Sequence, residues 1–240
     1  MESESHMSAI AHRPFPTPAL DATPVVARAL TRRHGTGPEV LRGVSLEVAA
    51  GELVVVTGAA GAGKTTLVRL LAGLERPTSG DAWVGGVQLS TLRDRELTRL
   101  RRTHVGLVLG AANLLPMLTV EENVLLPVMV AGRKPDRDWV AEVLHDVGLS
   151  ERYSDRPCEL SAADQQRVAI ARAVVSRPAI LLADEPAAAV DAGAGVELLG
   201  LLRECVDRYG QSTVICTRDE QAAGIADRAF ALVGGRLHPA

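Results

Sequence analysis

The sequence predicts an α/β fold with a mainly parallel sheet covered by helices on both faces. Short apolar runs of strand length alternate with helical patterns along most of the chain. A glycine-rich turn at residues 58–65 joins one such run to a helix, and a later run ends in two acidic residues. Hydrophobic residues make up 47% of the 240 residues, which is enough for one substantial core.

The N-terminal part of the chain favours strands. Val25–Leu30 and Val44–Val48 are apolar and β-branched and flank the turn Gly35–Pro38. Gly80–Val84 and Val87–Leu89 flank two glycines and are predicted to form a hairpin. These runs predict strands that pair with near neighbours in the chain.

From the glycine-rich turn onward, strands alternate with helices. Further predicted strands are Leu53–Val56, Val105–Leu109, Ala179–Ala183, Ser212–Cys216 and, as the last one, Arg228–Val233. The predicted helices are Thr66–Ala72, Leu92–Arg102, Ser161–Val175 and Val196–Tyr209. Residues 111–160 contain prolines at 116, 127, 135 and 157 and are expected to be helical and rich in loops.

Composition excludes several classes of protein. A net charge of −3 argues against nucleic-acid binding through bulk charge. The cysteines at 158, 205 and 216 lack metal or redox spacing, which suits a reducing cytoplasm. The longest uncharged apolar run, Val124–Gly132, is too short to span a bilayer. Residues 1–24 are rich in proline, alanine and threonine and are expected to be a disordered tail or leader without a signal peptide.

Residues 58–65 fit the phosphate-binding pattern G-x-x-x-x-G-K-[ST] of a P-loop. They are Gly58, Ala59, Ala60, Gly61, Ala62, Gly63, Lys64 and Thr65, with Thr66 following in the predicted helix. Glycines let successive N–H groups point into one concave nest, and the helix N-terminus adds partial positive charge. Lys64 is predicted to reach the β- and γ-phosphates and Thr65 to ligate Mg²⁺. The alternative is an ordinary glycine-rich turn.

The apolar strand Ala179–Ala183 ends in Asp184 and Glu185. In a P-loop protein, an acidic strand end of this kind delivers a carboxylate to Mg²⁺ or its water shell, the role predicted for Asp184. Glu185 is then placed to polarise the attacking water. The alternative is a strand followed by an acidic turn. Together, the two motifs predict a site for a nucleoside triphosphate.

With both motifs in place, the stretch from Val25 to Leu237 resembles the nucleotide-binding subunits of ABC transporters. Asn113–Val124 resembles most the group of lipoprotein-release, macrolide-export and cell-division ATPases. The resemblance implies a P-loop NTPase fold with a RecA-like, mainly parallel sheet core and an N-terminal antiparallel β subdomain. This ATP-binding domain would span 25–240, with the core and β subdomain at 25–110 and 166–240. An inserted α-helical subdomain would occupy 111–165.

The resemblance also implies ligands and partners. ATP and Mg²⁺ are the expected cofactors. Two domains of this family dimerise head to tail, so each ATP lies between the phosphate motifs of one and the signature helix of the other. The expected partners are a second ABC ATP-binding domain and an integral membrane permease-like protein, with no nucleic acid. The expected location is cytoplasmic, peripherally associated with the inner face of the cell membrane.

The signature segment departs from the family pattern. Where the family has Leu-Ser-Gly-Gly-Gln, this chain has Leu160, Ser161, Ala162, Ala163 and Asp164. Added methyl groups would crowd the approach of backbone amides to the opposite γ-phosphate. A carboxylate there would repel an anion by roughly 1 kcal/mol or more at a few ångströms. The same residues also form a predicted capping box, so the helix itself is expected to form well.

Three further family positions are altered. The Q-loop glutamine falls on Gly110, the switch histidine on Arg218, and the adenine-stacking aromatic on His34. Arginine stays charged, so it cannot act as a neutral acceptor. It could stabilise the γ-phosphate, or it could pair with Glu185 and weaken it as a base.

The sequence therefore favours an ATP-binding subunit of an ABC transporter or of a membrane mechanotransmission complex. Its hydrolysis is expected to be slow or to depend on a partner, because supporting contacts are missing around an intact phosphate site. Two alternatives remain. One is a catalytically degenerate ABC-like ATP sensor without useful turnover, and the other is the inactive half of a heterodimer.

Overall fold

Two sheets and six helices organise residues 24–240, which are the residues described by the structure, a computed structural model. The strands are β1 Val25–Arg33, β2 Glu39–Val48, β3 Leu53–Thr57, β4 Ser79–Val84, β5 Val87–Gln88, β6 Val105–Leu109, β7 Ile180–Asp184, β8 Thr213–Thr217, β9 Arg228–Val233 and β10 Arg236–Pro239. The helices are α1 Lys64–Leu71, α2 Asp94–His104, α3 Val120–Val130, α4 Arg137–Asp146, α5 Ala162–Val174 and α6 Ala192–Tyr209. The expected tail at residues 1–24 lies, apart from Pro24, outside the described residues.

The larger sheet has the strand order β10-β9-β3-β8-β7-β6, and all of its pairings are parallel except that of β10 with β9. Thr57 at the end of β3 pairs with Thr217 at the end of β8. Asp184 at the end of β7 pairs with Cys216 in β8. The carboxyl ends of these strands therefore meet at one edge, which brings the two phosphate motifs together and confirms the predicted mainly parallel sheet.

The smaller sheet is antiparallel, has the order β2-β1-β4-β5 and comes from the N-terminal part of the chain. It confirms the predicted antiparallel β unit. The second strand begins at Glu39 rather than at the predicted Val44. Gly43, with φ +70°, lies at an irregularity in the pairing with β1, so the β pattern in the sequence is interrupted there although the strand continues.

The prediction that Arg228–Val233 is the last strand was wrong. Gly234 and Gly235, with φ +55° and +79°, turn the chain back into β10, which pairs antiparallel with β9. This strand is short and includes Pro239, which an edge position tolerates because its missing N–H is not needed by a neighbour. Such a short edge strand leaves little periodic signal in the sequence.

Both faces of the parallel sheet are covered, as predicted. On one face, Val54 and Leu182 pack with residues of α1 and of the antiparallel sheet. On the other, Val55 and Leu181 pack with residues of α5 and α6. The central strands are buried on both sides, which explains their continuous apolar sequence. Within residues 24–240, no helix has the length and apolar character that crossing a bilayer requires.

Asn123 organises the loop that leads into α3. It is completely buried, and its side chain accepts from Leu115 N at 2.8 Å. Its amide donates to the carbonyls of Leu115, Leu118 and Thr119. One side chain thus bonds to four main-chain groups of this loop.

We expect Asn123→Ala to lower the free energy of unfolding by about 2–4 kcal/mol, because the hydrogen bonds of a completely buried amide are lost and a small cavity forms. Denaturant titration measures the change. Arg99→Ala, an exposed substitution on α2, should shift stability by no more than about 0.5 kcal/mol. Equal stability of the two variants would contradict this role for Asn123.

Candidate functional site

A cleft of about 420 Å³ opens at the carboxyl edge of the parallel sheet, within the range typical of small-ligand sites. It is lined by His34, Val40, Ala60, Gly61, Gly63, Lys64, Thr65, Thr66, Glu185 and Arg218. Most of the residues predicted from the two motifs therefore meet in one place. His34 and Arg218, predicted from the resemblance, line the same cleft.

Glycine is required at two positions of the P-loop, because other segments of the chain pass close to the backbone there. A Cβ on Gly63, at φ +108°, would lie 2.9 Å from Leu41 Cδ2 and 3.1 Å from Val40 O. A Cβ on Gly58 would lie 2.8 Å from Leu232 O. Alanine is accommodated at 59, 60 and 62, between these constraints. The loop thus reaches the N-terminus of α1 in a conformation that larger residues at 58 and 63 would disturb.

Lys64 is buried, and its ammonium lies inside the loop. Nζ donates to Gly58 O at 2.7 Å and to Ala59 O at 3.1 Å, and it lies 3.1 Å from Glu185 Oε1. The cation is therefore held in place by two carbonyl groups of the glycine-rich loop. A fixed positive charge beside a helix N-terminus is well suited to an anionic polyphosphate.

Asp184 fits a magnesium ligand. Burial raises the pKa of its carboxyl, and the neighbouring Thr65 hydroxyl opposes that shift. Its Oδ1 is buried without a hydrogen-bond partner among residues 24–240. Mg²⁺ is usually held by one or two carboxylates together with the phosphates of a nucleotide.

Glu185 follows Asp184 in a strained conformation, with φ +52°. Its N–H donates to Cys216 O at 2.7 Å, which fixes the backbone against β8. Oε2 accepts from Arg218 N at 3.0 Å and from the Thr217 hydroxyl at 3.3 Å. Oε1 lies 3.5 Å from Arg218 Nε in addition to its contact with Lys64. The pairing of Arg218 with Glu185 considered from the sequence is thus present.

Gly110 follows β6 and packs behind Glu185 rather than lining the cleft. A Cβ at this position would lie 2.9 Å from Glu185 O and 3.4 Å from Ala188 Cβ. Two α5 residues that the sequence analysis did not single out fix this segment. Gln166 is buried and donates to Leu109 O at 2.7 Å, and Arg172 donates to Ala112 O and Asn113 O. Only the tertiary fold shows these links, because nothing local in the sequence marks them.

We expect Gly110→Ala to lower both stability and ATPase rate, because the added methyl group must displace the main chain of Glu185. Gly200→Ala is a matched control. It lies inside α6, and apart from the backbone of the helix and the adjacent residues no atom lies within 4 Å of the new Cβ, so it should raise stability by about 0.5–1 kcal/mol. Thermal unfolding and ATPase assays measure both effects. Unchanged activity in Gly110→Ala would show that Glu185 tolerates a shift.

The signature segment lies at the start of α5, away from the cleft-lining residues. Leu160 is buried, and Ala162 begins the helix. Ser161 Oγ accepts from Asp164 N at 3.1 Å, as a cap should. The predicted capping box is only half formed. Asp164 Oδ2 accepts from the Ser161 hydroxyl at 2.8 Å rather than from its main-chain N–H, because aspartate is one methylene shorter than glutamate.

These features define a class of protein, the P-loop nucleoside triphosphatases. The ABC transporter family profile matches residues 41–188, which is more than half of the chain. The chain therefore belongs to the ABC transporter family, and within it to the ATP-binding, ABC-type ATPase domains.

Comparison with individual proteins identifies a narrower group within the ABC transporter family. The chain is 40% identical over 201 residues to the lipoprotein-releasing system ATP-binding protein LolD of Bacteroides fragilis, covering 83% of this chain and 93% of LolD. It is 42% identical over 213 residues to the macrolide export ATP-binding/permease protein MacB of Burkholderia pseudomallei. That match covers 87% of this chain and 32% of MacB. The predicted resemblance to this group is confirmed.

Solved structures agree with the fold. The ATP-binding cassette MJ0796, a dimer in a post-hydrolysis state bound to ADP and Pi, superposes with a TM-score of 0.79 at 34% identity. The superposition covers 89% of this chain and 96% of MJ0796. CbiO1 of Clostridium perfringens, part of an ABC transporter complex, gives a TM-score of 0.82 at 25% identity. It covers 91% of this chain and 88% of CbiO1.

Proposed function

We propose that this chain is the ATP-binding subunit of a LolD- or MacB-like ABC system, binding Mg²⁺-ATP in the cleft and passing dimer closure to a separate membrane protein. The observation that carries the proposal is the buried Lys64 ammonium, which Gly58 O and Ala59 O hold at the cleft wall, together with the buried Asp184 oxygen that has no hydrogen-bond partner among residues 24–240. Such a cradle stabilises a polyphosphate with its cation.

Different residues of the cleft would bind the phosphates, contact the nucleoside, hold the metal ion and activate water. The amides of 58–65 and Lys64 bind the phosphates, while Thr66 and His34 line the cleft on the nucleoside side. Thr65 and Asp184 would hold Mg²⁺, which would neutralise charge on the phosphates. Glu185 accepts a proton from the attacking water. Its strained backbone and multiple donors hold its carboxylate at the cleft wall.

We further propose that turnover is slow or partner-dependent. Gly110 offers no side chain to the cation or water, and Arg218 engages Glu185 directly. Asp164 holds the hydroxyl of Ser161 within its own helix, which leaves that hydroxyl less free to meet a phosphate of a second subunit. Each missing contact costs about 10²–10³ in rate, although such losses do not simply multiply.

A membrane partner is proposed to dock near the start of α3. Leu115, Met117 and Tyr153 expose 40%, 67% and 53% of their surfaces there. Glu121 N donates to Tyr153 O, so the two loops lie together. Arg172 ties the same region to α5, the signature helix. A permease-like chain at this apolar surface would thus contact the segment that precedes α3. Hydrogen bonds join that segment to α5, whose start is the proposed dimer interface. The chain would then lie peripherally on the cytoplasmic face.

A second candidate is an ATP sensor without useful turnover. The placement of Glu185 between Lys64 and Arg218 favours it, because both oxygens of the carboxylate are engaged by protein groups rather than left free to contact a water molecule.

Steady-state ATPase activity and equilibrium binding of Mg²⁺-ATP, measured on the isolated protein, test both functions. Binding with slow turnover supports the ATPase subunit, and tight binding without turnover in the presence of its membrane partner supports the sensor. A folded chain that fails to bind Mg²⁺-ATP would refute both.

A further inference from the structure

The carboxylate of Asp164 in the signature segment has a cation beside it. Asp164 lies in the first turn of α5, and its Oδ2 accepts from the Ser161 hydroxyl at 2.8 Å. Arg152 Nη2 lies 3.9 Å from the same oxygen. The side chains of Arg152 and Asp164 are 42% and 31% exposed, so both charges lie at the surface where α5 begins. A basic residue from the loop after α4 therefore accompanies the acidic residue that departs from the family pattern.

The fold fixes the position of the Arg152 guanidinium. Its Nε lies 2.8 Å from Asp155 Oδ2, and its Nη2 donates to Glu159 O at 3.4 Å. Asp155 is anchored in turn, because its carbonyl accepts from Val120 N at the start of α3. The guanidinium is thus held between the start of α3 and the start of α5, with Nη2 on the side of Asp164.

Arg152 contributes strongly to the charge of this surface. Residues 151–164 contain four acidic residues and two arginines, namely Glu151, Asp155, Glu159 and Asp164 against Arg152 and Arg156. Their formal charge is −2, and it would be −3 without Arg152. The helix N-terminus adds only about half a positive charge. Each exposed ion pair here is weak in itself, but an approaching polyphosphate responds to the summed charge within about 10 Å.

We propose that Arg152 offsets the charge of Asp164, so that the start of α5 can approach the nucleotide bound by a second copy of this chain. This inference rests on the proposed function, in which two ATP-binding domains close on bound ATP. Arg152 does not line the cleft of its own chain and acts through Asp164. The two residues therefore work as a pair. The acid holds the Ser161 hydroxyl, and the arginine removes the repulsion that this acid alone would impose on a phosphate.

ATP-dependent self-association of the full chain, measured by sedimentation equilibrium, tests this proposal. All proteins carry Glu185→Gln, so that bound Mg²⁺-ATP is not consumed. Arg152→Gln should weaken self-association by about three- to ten-fold relative to this parent, because two uncompensated carboxylates then face the nucleotides of the dimer. Arg76→Gln removes another exposed arginine that pairs with an aspartate, 3.2 Å from Asp94, and is the matched control that should change nothing.

Salt dependence separates this role from a structural one. The ratio between Arg152→Gln and its parent should fall toward one at 1 M salt, where the Debye length is about 3 Å. Arg152→Lys should keep most of the association, because the role needs the charge rather than the planar fork of donors. A loosened loop would instead give the same defect at low and high salt, and lysine would not rescue it. Thermal unfolding reports whether each variant remains folded.

Two further variants examine the carboxylate partners of Arg152. Asp164→Asn removes the charge that Arg152 offsets, so the double variant Arg152→Gln/Asp164→Asn has the net charge of its parent. It should associate at least as tightly as the parent and with the same salt dependence. Asp155→Asn frees the guanidinium from its nearer partner and should not weaken association. A purely structural clamp predicts weaker association for Asp155→Asn.

An unchanged constant in Arg152→Gln, a defect that is independent of salt, or a double variant as weak as Arg152→Gln would each overturn the proposal. A parent that binds Mg²⁺-ATP without self-association would also overturn it, while the nucleotide site would stand. Lys64→Ala identifies the other kind of failure. If that variant binds Mg²⁺-ATP as wild type does, the proposed function itself fails.

Discussion

Lys64→Ala is expected to lower the affinity for Mg²⁺-ATP by about 100-fold or more and the ATPase rate by about 10²–10³-fold. The ammonium is the one buried cation lining the cleft among the described residues, and Gly58 O and Ala59 O hold it within the glycine-rich loop. Its removal leaves the cleft wall with the carboxylate of Glu185 unopposed on that side, which repels an anion. Equilibrium nucleotide binding and phosphate release measure the two effects.

The chain offers a matched control for this substitution. Lys134, the other lysine in the sequence, is exposed in the turn before α4. Lys134→Ala should leave binding and rate unchanged. Thermal unfolding of both variants reports whether Lys64→Ala remains folded, since the loss of two hydrogen bonds costs about 1–3 kcal/mol. A folded Lys64→Ala protein that binds Mg²⁺-ATP within about two-fold of wild type would contradict the assigned site.

Glu185→Gln is expected to lower the hydrolysis rate by about 10³-fold while binding of Mg²⁺-ATP is kept or tightened. The amide preserves the shape of the side chain and can still accept hydrogen bonds from Arg218 N and Thr217. It cannot take a proton from water, and it removes one negative charge near the phosphates. Single-turnover hydrolysis beside equilibrium binding separates the chemical step from capture.

Glu220→Gln, at an exposed position shortly after β8, is the control and should behave as wild type. If Glu185→Gln hydrolyses ATP at the wild-type rate, another group activates the water and the assignment of Glu185 is wrong. If turnover appears only after mixing with a second ATP-binding domain and survives Glu185→Gln, the chain is the inactive half of a heterodimer.

Local patterns predicted most of the fold, and most of the residues that they proposed for phosphate binding line one cleft. The run Leu53–Val56 and the following Gly58–Thr65 predict a buried strand and the loop that leads into α1, and because these residues are contiguous, tertiary information was not needed. The position of Asp184 at a strand end was also predicted locally, because an apolar strand that ends in an acidic residue is a pattern of contiguous residues. The strand Arg236–Pro239 was missed, since a short edge strand has no periodicity, and the full length of Glu39–Val48 was hidden by Gly43.

Only the tertiary structure shows which groups Arg218 and Gly110 contact. The sequence could place Arg218 at a strand end, but its pairing with Glu185 depends on β7 and β8 lying side by side. The sequence indicated only that Gly110 lacks the glutamine side chain of the family. The fold shows that the carbonyl of Glu185 occupies the space that a side chain at this position would need. A site built from contiguous residues can be predicted from the sequence, because their spacing fixes the local geometry. Contacts between distant segments are set by how strands and helices pack, and no local spacing records them.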